Sequence, residues 1–170
     1  MNGLKDIRDD IQNIAEAMLS VLNIDVTIVD EHLERIAGTG TYLEKIGDKV
    51  EGYSAFKKCL EEQVIIYIDD SQKNDICKVC SNNGNCKEHA ELCCPITLDG
   101  YSYGVVGLIA FNKEQSDIIT DNAKDLTNFL GKMADLISNK LKAQIKTEEL
   151  ELEKKKLEIL LTSMNKAVVS

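Results

Sequence analysis

The stretch Leu92-Cys-Cys-Pro-Ile-Thr-Leu98, Asp99-Gly100, Tyr101-Ser-Tyr-Gly-Val-Val-Gly-Leu-Ile-Ala-Phe111 reads as a β-hairpin whose turn is Asp-Gly, a pair that accepts the positive φ of tight hairpin turns. In its second arm Val105, Ile109 and Phe111 fall on one side and Val106, Leu108 and Ala110 on the other, so the strand is predicted to lie centrally in a sheet covered on both faces. In the first arm Leu92, Cys94, Ile96 and Leu98 form an apolar row suited to helices. Cys93 and Thr97 then face the opposite side.

Upstream, Leu4, Ile7, Ile11, Ile14, Ala15, Met18 and Leu22 recur at steps of three and four, the period of an amphipathic helix that Asn23 ends. Ile24, Val26 and Ile28 share one face of a following strand, and residues 33–38 read as its antiparallel partner. An irregular stretch through Gly38, Gly40, Gly47 and Gly52 leads to a short helix over residues 54–62 capped by Ser54, and residues 64–68 form another strand. After the hairpin a long helix is predicted from Ser116 or Asp117, with a broad apolar stripe through Leu126, Phe129, Leu130, Met133, Ile137 and Leu141. Beyond Leu141 the apolar positions thin to Ile145, Leu150, Leu152, Leu157, Leu160, Leu161 and Met164, which makes a seam between paired helices rather than a core face. The fold class is α+β: an antiparallel sheet flanked by N- and C-terminal helices, with a long C-terminal connector helix.

Composition narrows the function. The chain of 170 residues carries 20 basic and 29 acidic residues, a net charge of −9, and so lacks the positive field that releases counterions from a phosphate backbone. Direct nucleic-acid binding by this segment is not expected. No apolar run approaches the ~20 residues of a membrane span, and the N-terminus lacks the apolar core of a signal peptide, which together predict a cytoplasmic chain.

In that setting cysteines serve metal or redox chemistry more often than disulfides. Cys77, Cys80, Cys86, Cys93 and Cys94 crowd into residues 77–94. The Cys77-x-x-Cys80 turn can point two sulfurs at one centre, and Cys86 can fold back across Asn-Asn-Gly-Asn. Side-chain alternation selects Cys93 as the fourth ligand, with Cys94 as the alternative. Zinc or an iron–sulfur cluster fits such a set, His89 could replace one sulfur at zinc, and a Cys77–Cys80 pair could also close to a reversible disulfide. Cys59, alone in a helix, reads as a small buried hydrophobe. Tyr42, Tyr53, Phe56 and Tyr67 are the aromatics available to line an effector pocket.

The hairpin from Cys94 to Phe111 resembles the closing hairpin of GAF sensory domains. With the preceding Cys-x-x-Cys loop and the tail Leu157-Glu-Ile-Leu-Leu-Thr-Ser-Met-Asn-Lys-Ala-Val-Val-Ser170, the chain is similar to the amino-terminal regions of clostridial sigma-54-dependent transcriptional activators. The resemblance implies a GAF-like sensor over residues 1–140, a coiled-coil-like connector over 141–162, and the start of a truncated PAS-like domain at 163–170. It also implies a homodimer joined through the terminal helices, followed by PAS, AAA+ ATPase and DNA-binding domains. The expectation is a non-enzymatic module that senses a ligand, a metal or redox state. Two alternatives stand beside it: a structural zinc module for dimerisation, and a GAF-type free methionine sulfoxide reductase.

Overall fold

The computed structural model describes residues 2–50, 52, 54–80 and 86–169. A 3-10 turn, Leu4–Ile7, runs into helix α1 (Arg8–Leu22), which stops where Asn23 adopts the left-handed conformation at φ 56° and its amide bonds back to the Leu19 carbonyl. Strands β1 (Asp25–Asp30) and β2 (Arg35–Gly38) form an antiparallel pair. The buried Asp30 carboxylate shapes their turn by accepting from the amides of His32 and Glu34, both at 2.9 Å. Next come a 3-10 stretch, Gly40–Lys45, helix α2 (Ala55–Glu62) and the three-residue strand β3 (Ile66–Ile68). Ser54 caps α2 as the sequence predicts, its side chain accepting from the Lys57 amide at 3.2 Å.

The short helix α3 (Asp75–Lys78) sits in the cysteine segment, and the hairpin is β4 (Ala90–Leu98) with β5 (Tyr101–Ala110). The described strands make one sheet in the order β2-β1-β5-β4-β3, with β5 central as expected from its two apolar faces. β3 pairs only with residues 91–93 of β4, so Pro95 falls where β4 has already lost that neighbour and a missing amide hydrogen is tolerated.

Two apolar clusters cover the two faces. On one, Ile11, Ile14 and Met18 of α1 and Leu130, Ile137 and Leu141 of the C-terminal helix pack over Ile24, Val26, Ile28, Leu92, Cys94, Ile96, Val106 and Leu108. On the other, Tyr42, Ala55, Phe56 and Cys59 roof Val29, Ile66, Ile68, Cys93, Val105 and Ile109. The roof lies close: a Cβ at Gly107 of β5 would come within 2.6 Å of Phe56 Cζ. The faces are therefore divided as the alternation predicts.

The C-terminal helix departs from the sequence reading in two respects. It begins earlier, as α4 (Lys113–Asp121), capped by Asn112, whose side chain accepts from the Gln115 amide at 2.9 Å. It is also interrupted at Asn122, after which α5 (Ala123–Val169) runs unbroken. Ser138 of α5 donates to the Thr97 carbonyl of β4 at 2.8 Å and fastens the helix to the sheet. Past Ile145 the helix leaves the core, and Leu150, Leu157, Leu160, Leu161 and Met164 are all more than half exposed. Residues 163–169, expected to open a PAS-like domain, continue the same helix.

Candidate functional site

The loop-side face holds a polar cluster under an apolar roof. On β4 the odd positions face this side, which puts Glu91 beside Cys93; both are buried, and Cys93 Sγ donates to Glu91 Oε1 at 3.0 Å. Glu88, just upstream, stands next to Glu91 and accepts a hydrogen bond from the Tyr42 hydroxyl. The backbone is fastened just after Glu88: Ser71 N donates to the His89 carbonyl at 3.0 Å, and His89 N donates to the Ala110 carbonyl at 2.7 Å.

Arg35 of β2 completes the cluster. Its guanidinium lies 4.4 Å from the centroid of the Tyr42 ring, and its Nε donates to Thr27 Oγ1 at 2.7 Å. Tyr42 also stacks obliquely on Phe111, with centroids 5.3 Å apart.

This setting controls protonation. Burial, reinforced by Glu88, pushes the Glu91 carboxyl up to about 8, against which the Cys93 hydrogen bond acts weakly. Burial and then Glu88 push the Tyr42 hydroxyl well above its ordinary range, so it remains a donor. Cys93 is pushed far up by burial and by Glu91, while Cys77 and Cys86 are each pushed to about 11, first by desolvation and then by the same two carboxylates. These thiols are protonated at neutral pH and poor nucleophiles in this arrangement.

The residues singled out from the sequence are distributed unevenly. Cys77 packs against the roof cluster, Cys80 is its neighbour with Cys80 N bonded to the Cys77 carbonyl at 3.3 Å, and Cys86 lies exposed at the rim. Cys93 lies on the same face, in the apolar cluster that Cys77 packs against, and the thiol acting on it is that of Cys59. Cys94 does not lie there: it is buried under the helices, with its Sγ 3.6 Å from the Pro95 carbonyl. Cys59 is fully buried in the roof, as its helical setting suggests. His89 is exposed beside a cleft of about 360 Å³ that Asp69, Asp70, Cys86, Glu88 and Lys113 also line.

Tyr42 and Phe56 do roof the site. Tyr67 stands apart, 39% exposed and paired with Leu92, on the opposite face of the sheet. Tyr53 lies outside the described residues.

The thiols and carboxylates offer soft and hard donors of the right kind for zinc. As they stand they are gathered rather than caged, for no three His, Cys, Asp or Glu side chains among the described residues are placed to hold one metal ion. Sequence reading missed Arg35, Glu88 and Glu91 altogether. The available signal was Glu91, a charge two residues from Cys93 on the inward face of a strand.

No family model matches the chain. It is 34% identical over 139 residues, 81% of its length, to a protein of Escherichia coli (strain K12) named as a uric acid sigma-54-dependent transcriptional regulator, UacR. The chain spans 24% of that protein's length. Among solved structures it is similar to the second GAF domain of DevS from Mycobacterium smegmatis, with a TM-score of 0.54 at 14% identity, covering 82% of this chain and 95% of that one. It is also similar to the type II free methionine-R-sulfoxide reductase of Thermoplasma acidophilum, with a TM-score of 0.58 at 19% identity, covering 81% and 94%.

At these identities the likeness is one of fold, and the chain has the GAF fold. The expectation that it is not an enzyme is corrected by the second of these structures, since the same fold carries a reductase and does not exclude catalysis. Among the described residues no helix is long and apolar enough to cross a membrane.

Proposed function

We propose that this chain is the sensory segment of a sigma-54-dependent transcriptional regulator, in which the state of the loop-side site is passed to α5. The observation that supports the reading is the division of labour along one strand. Glu91 and Cys93 of β4 line the site, while Leu92, Cys94 and Ile96 pack under the terminal helices. A shift of β4 that follows occupancy of the site reaches α5 directly, through this packing and through the Ser138–Thr97 hydrogen bond. The exposed leucines beyond Ile145 then pair with those of a second copy, so that a change in α5 alters a dimeric connector.

The relative's name makes uric acid the first effector to test. In a regulator carrying this segment, transcription from its sigma-54-dependent promoter should respond to effector, and deletion of residues 2–140 should abolish that response. An unchanged response after the deletion would falsify the sensory role.

A second reading places zinc or an iron–sulfur centre on Cys77, Cys80, Cys86 and Cys93. It is favoured by the surroundings those residues share: Cys77, Cys86 and Cys93 are all raised first by burial and then by Glu88 and Glu91, and Cys80 acts on both Cys77 and Cys86. A bound cation would displace the protons these thiols hold at neutral pH and balance the charge they then carry. Protein prepared without oxygen should then contain about one zinc per chain, or iron with a visible absorption band, and Cys77→Ala and Cys80→Ala should each lose it. Metal content unchanged in either variant removes those ligands from the site.

A further inference from the structure

Arg35 is a buried cation whose bonding capacity is largely unused. It is 8% exposed, and of its five N–H donors only Nε has a hydrogen-bond partner among the described residues, Thr27. The described ion pairs involve Lys5, His32, Lys57, Lys73, Lys78 and Lys140 on the basic side, and Arg35 is in none of them. Its nearest opposing charges, Glu88 and Asp48, act on it only at longer range, and Glu88 is already engaged by Tyr42. Among the described residues Ser102 Oγ is the one side-chain nitrogen or oxygen both sealed from water and without a partner, so the Nη groups of Arg35 keep a narrow contact with solvent through which a ligand can complete the fork.

Local structure nevertheless holds the residue in place. The Arg35 amide donates to the Asp48 carbonyl at 2.9 Å, and Gly47 N donates to the Arg35 carbonyl at 2.8 Å, so the 39–50 segment wraps around it. The Tyr42 ring lies against the guanidinium and fixes its plane.

The geometry points to Arg35 as the anchor of an anion-recognition site, in which a small planar oxyanion docks its charged edge on the free Nη groups beside the Tyr42 ring. This deepens the sensory reading and rests on it, because it names the ligand class of the same loop-side site. A carboxylate or a ring oxyanion matches the spacing of the guanidinium fork and can accept two parallel hydrogen bonds. The neighbouring carboxylates disfavour a second negative charge and so select a monoanion with a neutral remainder.

The test uses this chain with benzoate and urate as probes and benzamide as the uncharged control, followed by thermal shift and by the Arg35 Nε–H resonance. Both anions should raise the melting temperature saturably and move that resonance; benzamide should do neither. Arg35→Lys keeps the charge but loses the fork, and should weaken binding by about tenfold or more, while Arg35→Gln should abolish it. The proposal is overturned if benzamide matches benzoate, if Arg35→Lys binds as tightly as the parent, or if neither anion moves the Arg35 resonance. Anion binding that leaves promoter output untouched would instead count against the sensory role alone.

Discussion

Gly104→Ala is expected to lose roughly 3–5 kcal/mol of stability and to lower the melting temperature by about 10–15 °C. Gly104 sits in the central strand, paired with Asp30 of β1 on one side and Ile96 of β4 on the other. A Cβ built there lies 2.2 Å from the Val29 carbonyl oxygen and 2.6 Å from Leu4 Cδ1. Leu4 can turn aside, but the Val29 oxygen belongs to the backbone of the neighbouring strand. Relief therefore requires β1 and β5 to separate just where the first 3-10 turn packs on the sheet. The control is Gly131→Ala in α5, where an added Cβ meets nothing within 4 Å and the gain in helix propensity should stabilise by about 0.5–1 kcal/mol. Urea unfolding of both variants measures this, and a Gly104→Ala protein within about 1 kcal/mol of the parent would refute the close approach of the strands.

The second large effect is a change in how stability depends on pH. The Glu91 carboxyl is raised in the folded protein to about 8 from an ordinary value of 4.5, first by burial and then by Glu88. The folded state therefore holds a proton that the unfolded chain releases, and stability from this group is complete below pH 4.5 and lost as pH rises towards 8. Over that window the loss is on the order of 2–4 kcal/mol. Glu91→Gln keeps a carbonyl oxygen to accept from Cys93 and has no proton to lose. It should match the parent near pH 5, exceed it in stability at pH 8, and show a flatter melting profile between. Parallel profiles for the two proteins would mean that another group titrates.

Much of the architecture can be read along the chain because alternation and helical period are local properties. The opposed faces of residues 105–111, the separation of Cys93 from Cys94, the stop at Asn23 and the cap at Ser54 all follow from spacing and side-chain type. Two misreadings had signals that were present. Asn112 followed three residues later by Gln115 is a helix-start pattern ahead of Ser116, and strand alternation puts Tyr67 on the face opposite the apolar Ile66 and Ile68. The interruption at Asn122 has no comparably plain cue in the apolar stripe.

The polar half of the site belongs to a different category. Arg35, Glu88 and Glu91 carry charges that sequence alone assigns to solvent, and they come from segments more than fifty positions apart. They lose much of their hydration, Glu91 most and Glu88 only in part, because the 39–50 segment, α2 and the cysteine-bearing segment close over one face of the sheet and bring Tyr42 down onto both Arg35 and Glu88. What the sequence by itself determined is which way each strand residue faces, for that depends on the pleat and on near neighbours. Which charged side chains lose their hydration, and what they then demand of a ligand, was decided by tertiary structure, because desolvation depends on everything stacked above a residue and not on the residues beside it.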